Sequence, residues 1–110
     1  MSADLTVGKV MEQTPGLFLP EKAQGVEAVV QYRFTGEQAG DWVMTISGGT
    51  CQVAPGTAPS PKLTITATGQ DYVDIALGKL DAMAAFASGK LKLQGDLALA
   101  MKLLGFFKRP

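Results

Sequence analysis

The chain has 110 residues, the size of one domain, and its ten acidic residues balance ten basic ones. Histidine is absent, so the commonest general base and transition-metal ligand is missing, and the balanced charge provides no overall field for nucleic acid. Charged residues make up only 18% of the chain, yet no apolar run reaches the roughly 18–20 residues that span a bilayer. The apolar side chains are therefore expected in a core, a pocket or an interface.

The first part of the chain predicts a short helix and then strands. Residues 4–13 favour a helix that places Leu5, Val10 and Met11 on one side, and Pro15-Gly16 ends it. Pro20-Glu21-Lys22 predicts a turn or a short helical turn. Apolar and polar residues then alternate, as in half-buried strands, and Gly48-Gly49 is typical of a two-residue hairpin. The predicted strands cover residues 26–35, 41–47, 50–54 and 62–68.

Helical signals follow in the second part. Asp71 and Asp81 are predicted to cap short helices that run to about Leu77 and about Ser88, because an Asp side chain accepts the free N–H groups of a first turn. Residues 90–94 return to strand alternation, and Gly95-Asp96 opens a last helix over 97–107. The sequence thus predicts a single α+β domain over residues 1–110. Its five-stranded, mostly antiparallel sheet carries helices on one apolar face.

The last helix is apolar on two sides. Leu97, Met101 and Leu104 fall on one stripe, while Leu99, Leu103 and Phe106 fall on another. The apolar arc is roughly 220° wide, whereas a surface helix needs only a stripe of about 100°. One stripe can pack on the sheet, and the other needs a further partner. The pattern leaves three interpretations open: a solid core built with the first helix, a ligand cavity, and a contact with a membrane or a partner chain.

An ordered series of short motifs resembles the sterol carrier protein domain family, the nonspecific lipid-transfer domains. The resemblance covers about residues 5–107. Its motifs are Tyr32-Arg33-Phe34-Thr35-Gly36, Asp41-Trp42 through Ile46 with Gly48 or Gly49, Leu63-Thr64-Ile65, Asp71, Gly78-Lys79-Leu80-Asp81, Ala85-Phe86, Gly89-Lys90-Leu91-Lys92-Leu93-Gln94-Gly95-Asp96 and Ala100-Met101-Lys102-Leu103. Each motif alone is common, and the series at this spacing is specific.

The resemblance implies a hydrophobic tunnel or cavity between the sheet and the helices, with the C-terminal helix as a wall or lid. It also implies apolar ligands such as sterols, fatty acids, fatty acyl-CoA and phospholipids, which are bound with little selectivity. Eukaryotic members often end in a peroxisomal address of the Ser-Lys-Leu type, whereas this chain ends Phe107-Lys108-Arg109-Pro110. We therefore expect a cytoplasmic protein.

The candidate ligand-binding residues are the large apolar side chains of the second strand and of the last two helices. They are Trp42, Met44, Ile46, Met83, Phe86, Leu99, Leu103, Phe106 and Phe107. Lys102, Lys108 and Arg109 are candidates for holding a carboxylate or phosphate at the mouth. Residues 79–110 carry six cations against two acids, which predicts transient contact between this basic end and an anionic membrane.

Two other functions compete with a lipid carrier. An enzyme would have to use aspartates such as Asp74, but Asp71, Asp81 and Asp96 are predicted helix caps, and Asp41 is predicted to serve a turn. Cys51 has no histidine to activate it and is expected to be a buried small hydrophobe. A scaffold or accessory domain could present lipid to an enzyme. We expect no catalysis, no metal or cofactor, no nucleic-acid partner, and a monomer or weak dimer.

Overall fold

Five strands form one sheet, and the helices lie against one of its faces. A computed structural model describes residues 6–108. The strands are β1 (Ala28–Thr35), β2 (Gly40–Ser47), β3 (Thr50–Pro55), β4 (Leu63–Thr68) and β5 (Leu91–Gly95). The helices are α1 (Val7–Gln13), α2 (Gly69–Ala76), α3 (Ala82–Ala87) and α4 (Leu97–Leu103). Short 3-10 segments span Thr14–Leu17, Pro20–Lys22, Gly36–Gln38 and Leu104–Phe106.

The strand order is β3-β2-β1-β4-β5, and every neighbouring pair is antiparallel except β1 with β4. The predicted fold class, a mostly antiparallel five-stranded sheet with helices on one face, is confirmed. Gly48 and Gly49 have φ values of 58° and 79°. This left-handed backbone joins β2 to β3 in a tight hairpin, as their sequence predicts.

Side-chain caps begin the helices. The Asp81 carboxylate accepts the Ala84 N–H at 2.9 Å, and the Asp96 carboxylate accepts the Leu99 N–H at 3.0 Å. These two predicted caps are confirmed. The predicted cap at Asp71 is wrong: Thr68 caps α2, and its hydroxyl accepts the Asp71 N–H at 3.0 Å. A threonine at the end of a strand already has the extended backbone that a capping residue needs.

Three further expectations need correction. Asp41 lies inside β2 opposite Arg33 and does not serve a turn, because β2 begins at Gly40. The last helix is α-helical only to Leu103, and the chain then tightens into a 3-10 turn, as is common at helix ends. The first helix begins at Val7, and residue 4 and Leu5 lie outside the described residues.

The core lies between the helices and the inward side chains of the sheet. Val30, Tyr32 and Phe34 alternate inward along β1 and are buried. Their cross-strand neighbours Met44 and Leu63 have no exposed surface. At the junction from β5 into α4, a side chain at Gly95 would collide with the Lys62 carbonyl oxygen, and its φ is 109°. Glycine there lets β4 and β5 stay paired while α4 turns back over the sheet.

Candidate functional site

The helices cover the two halves of the sheet differently. Over β2 and β3, α1 packs closely: a methyl group at Gly8 would stand 3.7 Å from the Trp42 ring. Met44 and Ile46 beneath it are fully buried, and Cys51 is 8% exposed. This half of the apolar face therefore belongs to the buried core.

Over β4 and β5 the helices leave a cavity of about 720 Å³. This volume lies within the ~300–1,000 Å³ that small-molecule sites have. The sheet contributes its floor, Tyr32, Ile65, Leu91 and Leu93. The walls come from α1 and the turn after it, from α2, α3 and the segment between them, and from α4 and the residues that follow it. They are Val10, Gln13, Thr14, Leu17, Tyr72, Ile75, Ala76, Leu77, Gly78, Leu80, Asp81, Ala82, Met83, Phe86, Leu97, Ala100, Met101, Leu103, Leu104, Phe107 and Lys108.

Exposed apolar side chains surround the cavity. The described residues expose six large apolar side chains by 43–56%, and all six line this cavity: Leu17, Leu77, Met83, Phe86, Leu97 and Met101. Contiguous exposed apolar surface marks a ligand or interaction site on a soluble protein. Its concentration here identifies the cavity as the candidate functional site.

The two stripes of α4 have different surroundings. Leu99, Leu103 and Phe106 are 3–7% exposed and pack into the core. On the other stripe, Leu97 and Met101 are 50% and 56% exposed, and both line the cavity together with Leu104. The helix thus uses one stripe to fasten itself to the sheet and presents the other to the cavity.

Two backbone hydrogen bonds hold the end of the α4 region against the segment after α1. The Leu19 N–H donates to the Phe106 carbonyl at 2.7 Å, and the Lys108 N–H donates to the Leu17 carbonyl at 2.9 Å. The rings of Phe18 and Phe107 lie 5.6 Å apart between their centroids. These contacts close one side of the cavity with residues from both ends of the described chain.

The structure places the candidate ligand-binding residues in two groups. Met83, Phe86, Leu103 and Phe107 line the cavity. The remaining candidates lie outside its lining: Trp42, Met44 and Ile46 under α1, and Leu99 and Phe106 in the core beneath α4. Of the candidate cations, Lys108 lines the cavity and Lys102 is exposed elsewhere, while Arg109 lies outside the described residues.

Sequence reasoning missed several lining residues. The polar-apolar alternation of residues 90–94 contained the signal for Leu91 and Leu93, since it placed both on the inner face. The first stripe of the last helix contained the signal for Leu97, Met101 and Leu104. No sequence pattern predicts the lining residues from α1 and α2, because their position at the cavity depends on how far each helix stands from the sheet.

Two tyrosines supply buried polar groups in this apolar lining. Tyr32 is 2% exposed and Tyr72 is half-buried, and their rings meet edge to face with centroids 5.4 Å apart. Burial raises the pKa of Tyr32 well above its ordinary range, and the neighbouring Tyr72 phenol raises it further. Burial also raises the pKa of Tyr72. Both phenols are therefore neutral at physiological pH.

Other reactive groups lie apart from the cavity or serve the backbone. Cys51 is buried under α1, and burial raises the pKa of its thiol to about 11. Asp81 lines the cavity, but its carboxylate caps α3. Residues 6–108 contain no cluster of three or more Cys, Asp or Glu side chains placed to hold a metal ion. Nor does any helix in that part of the chain have the length and hydropathy needed to cross a bilayer.

Comparison with known proteins matches the model of the SCP-2 sterol transfer family to residues 10–108. Peroxisomal multifunctional enzyme A of Dictyostelium discoideum is 37% identical over 89 residues, which are 80% of this chain and 20% of that protein. Human sterol carrier protein 2 is 30% identical over 104 residues, 94% of this chain and 19% of that protein. This chain thus spans about a fifth of the length of these curated relatives.

Solved structures show the same architecture. The solution structure of palmitated SCP2L2 from Aedes aegypti superposes with a TM-score of 0.75 at 27% identity. The match covers 90% of this chain and 91% of that one.

Proposed function

Because this chain belongs to the SCP-2 sterol transfer family of lipid-binding domains, we propose that its own ligand site is the cavity over β4 and β5. We propose that this cavity takes up the apolar part of a lipid and shelters it from water. One observation carries the proposal: the six exposed large apolar side chains of the described residues all surround this cavity. An apolar guest would remove them from water.

The apolar area of a lipid supplies enough free energy for binding without a specific polar contact. Each buried CH₂ group contributes about 0.8 kcal/mol, so a sixteen-carbon chain offers roughly 12 kcal/mol before association and ordering costs of about 4–15 kcal/mol. When those costs lie at the lower end of their range, about 8 kcal/mol remains, which corresponds to micromolar affinity. The Aedes aegypti relative is described in its palmitated form, which supports an acyl chain of this length as a ligand.

We propose that the ligand touches the rim as well as the floor of the cavity. Met83 and Phe86 of α3, Leu103 of α4 and Phe107 remain candidate ligand contacts. Leu97 and Met101 join them, because they line the cavity and are half-exposed without a guest. Methionine has no branched carbon and adapts to guests of different shape, which suits a carrier of low selectivity.

Titration with a fluorescent acyl probe tests the proposal. Met83→Asp places a carboxylate on the cavity rim, and Met83 is already 44% exposed, so we expect the fold to persist and probe binding to weaken about tenfold or more. Lys79→Asp is the matched control, because Lys79 is an exposed residue outside the lining. Equal binding by both variants and the natural protein would contradict the assignment. Native mass spectrometry of the purified protein would identify any lipid that it retains.

A second candidate function is that of an accessory domain that presents lipid to an enzyme. Its support is that this chain matches only about a fifth of each curated relative, and one of these is named a multifunctional enzyme. In either role we propose that the domain itself does not catalyse a reaction. Size-exclusion chromatography with and without detergent separates the two roles, because a stable dimer or complex sealed by the cavity rim favours a presenting interface.

Location, assembly and membrane contact remain predictions. The cytoplasmic location is an expectation, and relatives that carry the word peroxisomal in their names make the peroxisome the alternative to test. A monomer or weak dimer is likewise proposed. Lys102 and Lys108 are both exposed, and Lys108 lies at the cavity. Binding to anionic vesicles that falls with added salt would support transient membrane contact.

A further inference from the structure

Buried polar groups are scarce in the cavity. Its polar side chains are Gln13, Thr14, Tyr32, Tyr72, Asp81 and Lys108. Gln13, Asp81 and Lys108 are exposed, so they belong to the rim. The Thr14 hydroxyl donates to the Val10 carbonyl at 2.7 Å, which commits its only proton to α1. The two tyrosines are therefore the lining side chains within residues 6–108 that can offer a sheltered hydrogen-bond donor.

The two phenols are held by the sheet and by α2. Tyr32 lies on β1 between Trp42 and Ile65, in the middle of the sheet. Tyr72 comes from the first turns of α2, and Phe34 packs on both tyrosine rings, with centroid distances of 5.8 Å and 5.1 Å. This aromatic triangle fixes the rings before any ligand enters, so hydrogen bonding to a phenol would cost little ordering of side chains.

The tyrosine pair has hydrogen-bonding capacity to spare. A hydrogen bond between two phenols uses one of their two O–H groups as the donor, so the other O–H and several lone pairs remain. Both groups are neutral at physiological pH, because burial raises both pKa values above the ordinary range of tyrosine. The cations and acids of the lining, Lys108 and Asp81, are exposed at the rim. A charged head group buried beside the phenols would therefore lack a buried counter-ion.

On these grounds, and resting on the proposed function of the cavity, we propose that Tyr32 and Tyr72 receive the polar end of the ligand. The preferred ligand is then an amphiphile with an uncharged hydroxyl or carbonyl end, bound with that end inward and its apolar body toward the rim. An ionised head group, such as a carboxylate, stays at the rim, where water and Lys108 can stabilise it. Tyr32 and Tyr72 are then specificity-determining residues.

Three ligands of equal chain length test the inference in competition with a fluorescent acyl probe at pH 8: dodecanol, dodecane and laurate. Tyr32→Phe and Tyr72→Phe each remove one hydroxyl and keep the ring. We expect each to weaken dodecanol binding by about threefold to tenfold, the effect of one lost hydrogen bond, and to leave dodecane and laurate within about twofold. Circular dichroism and thermal melting check the fold, and Tyr72→Phe, at the half-buried position, serves if Tyr32→Phe destabilises the protein.

The outcomes separate the inference from the function on which it rests. Dodecanol binding that is unchanged in both variants would overturn the role of the tyrosines and leave the cavity assignment standing. Equal weakening of all three ligands would overturn it as well, because the hydroxyls would then act only on the shape of the cavity. If the natural protein binds none of the three ligands and no acyl probe, the proposed function fails.

Discussion

The Gln31 side chain joins three segments of backbone on the outer face of the sheet. It is 5% exposed, and its Nε2 lies 3.0–3.1 Å from the carbonyl oxygens of Tyr32, Trp42 and Gly56. Its Oε1 accepts the Ala58 N–H at 2.7 Å. One polar residue thus ties the loop after β3 to the centre of the sheet. The loop itself has little apolar side chain to anchor it.

We therefore expect Gln31→Ala to lower the free energy of unfolding by about 2–3 kcal/mol, because it removes the hydrogen-bond partner of buried and partly buried backbone groups. Urea unfolding followed by circular dichroism measures this loss. Gln52→Ala is the control: Gln52 is exposed on the edge strand β3, and its removal should change stability by no more than about 0.5 kcal/mol. Equal effects of the two substitutions would contradict the anchoring role of Gln31.

Cys51 is expected to make the folded protein less stable at alkaline pH. Burial raises the pKa of its thiol from an ordinary 9.0 to about 11. The folded protein therefore keeps this proton between those two pH values while the unfolded chain loses it, so stability is complete below pH 9 and falls as the pH rises through 11. The full loss is about 2–3 kcal/mol for a shift of this size.

Unfolding by urea from pH 8 to pH 11.5 measures this dependence, and the Cys51→Ala variant isolates the thiol. The two tyrosines titrate with their own raised pKa values and add a similar slope at higher pH in both proteins. We expect the stability difference between the natural protein and Cys51→Ala to shrink steadily above pH 9. A constant difference across the range would contradict the burial of this thiol.

At the scale of elements, one stripe of α4 packs into the core, and the other lines the cavity and is available to a ligand. Leu103 is 7% exposed in the core and at the edge of the cavity, whereas Met101, two residues earlier, is 56% exposed on its rim. Leu103→Ala should cost about 2–5 kcal/mol of stability. Met101→Ala should cost about 0.5 kcal/mol or less and should weaken acyl-probe binding by about threefold to tenfold.

Chemical unfolding and probe titration of the two variants check this separation. If Met101→Ala destabilises the protein as much as Leu103→Ala does, the Leu97-Met101-Leu104 stripe is part of the core, and the assignment of the two stripes is wrong. If Met101→Ala keeps both full stability and full probe binding, the rim of the cavity plays no part in binding.

Local sequence patterns predicted the positions of the helices and strands well, and they predicted less well which of these elements pack against one another. Period-two alternation placed all five strands, and the Asp81 and Asp96 caps placed the starts of α3 and α4. The Thr68 cap was missed because Asp71, three residues later, is an equally good capping residue, and only the extended backbone at the end of β4 decides between them. The sequence predicted two apolar stripes on the last helix, but not which stripe faces the sheet.

The sequence could not predict these contacts because they depend on tertiary packing. Trp42, Met44 and Ile46 alternate inward as clearly as Leu91 and Leu93 do, yet α1 covers the first group, and the second group floors the cavity. Which half of a sheet receives a close-packed helix depends on loop lengths and helix positions. The pattern of apolar residues within one strand carries no information about either.

At the scale of the whole molecule, the cavity arises because the apolar face of the sheet is wider than the part that a closely packed helix covers. The radius of gyration is 13.1 Å, close to the ~13 Å expected for a compact chain of about 100 residues. The five strands present an apolar face wider than α1 alone covers, and α2, α3 and α4 stand over the remaining half at the distance that their own caps and turns impose. The space beneath them is lined mostly by apolar side chains.

We propose that this space receives the apolar body of a lipid. Ala100 on α4 lines the cavity and is half-buried, whereas Ala98 on the same helix is exposed and outside the lining. Ala100→Trp should fill part of the space and exclude about two CH₂ groups of a guest, which corresponds to about a tenfold loss of affinity. Ala98→Trp should leave affinity within about twofold, since it adds the same ring to the solvent side.

Titration of a fluorescent acyl probe into Ala100→Trp, Ala98→Trp and the natural protein is the most direct measurement, with circular dichroism to confirm that all three are folded. We expect Ala100→Trp alone to bind the probe about tenfold more weakly than the natural protein does. Full probe binding by a folded Ala100→Trp variant would contradict it, because the guest would then occupy some other part of the molecule.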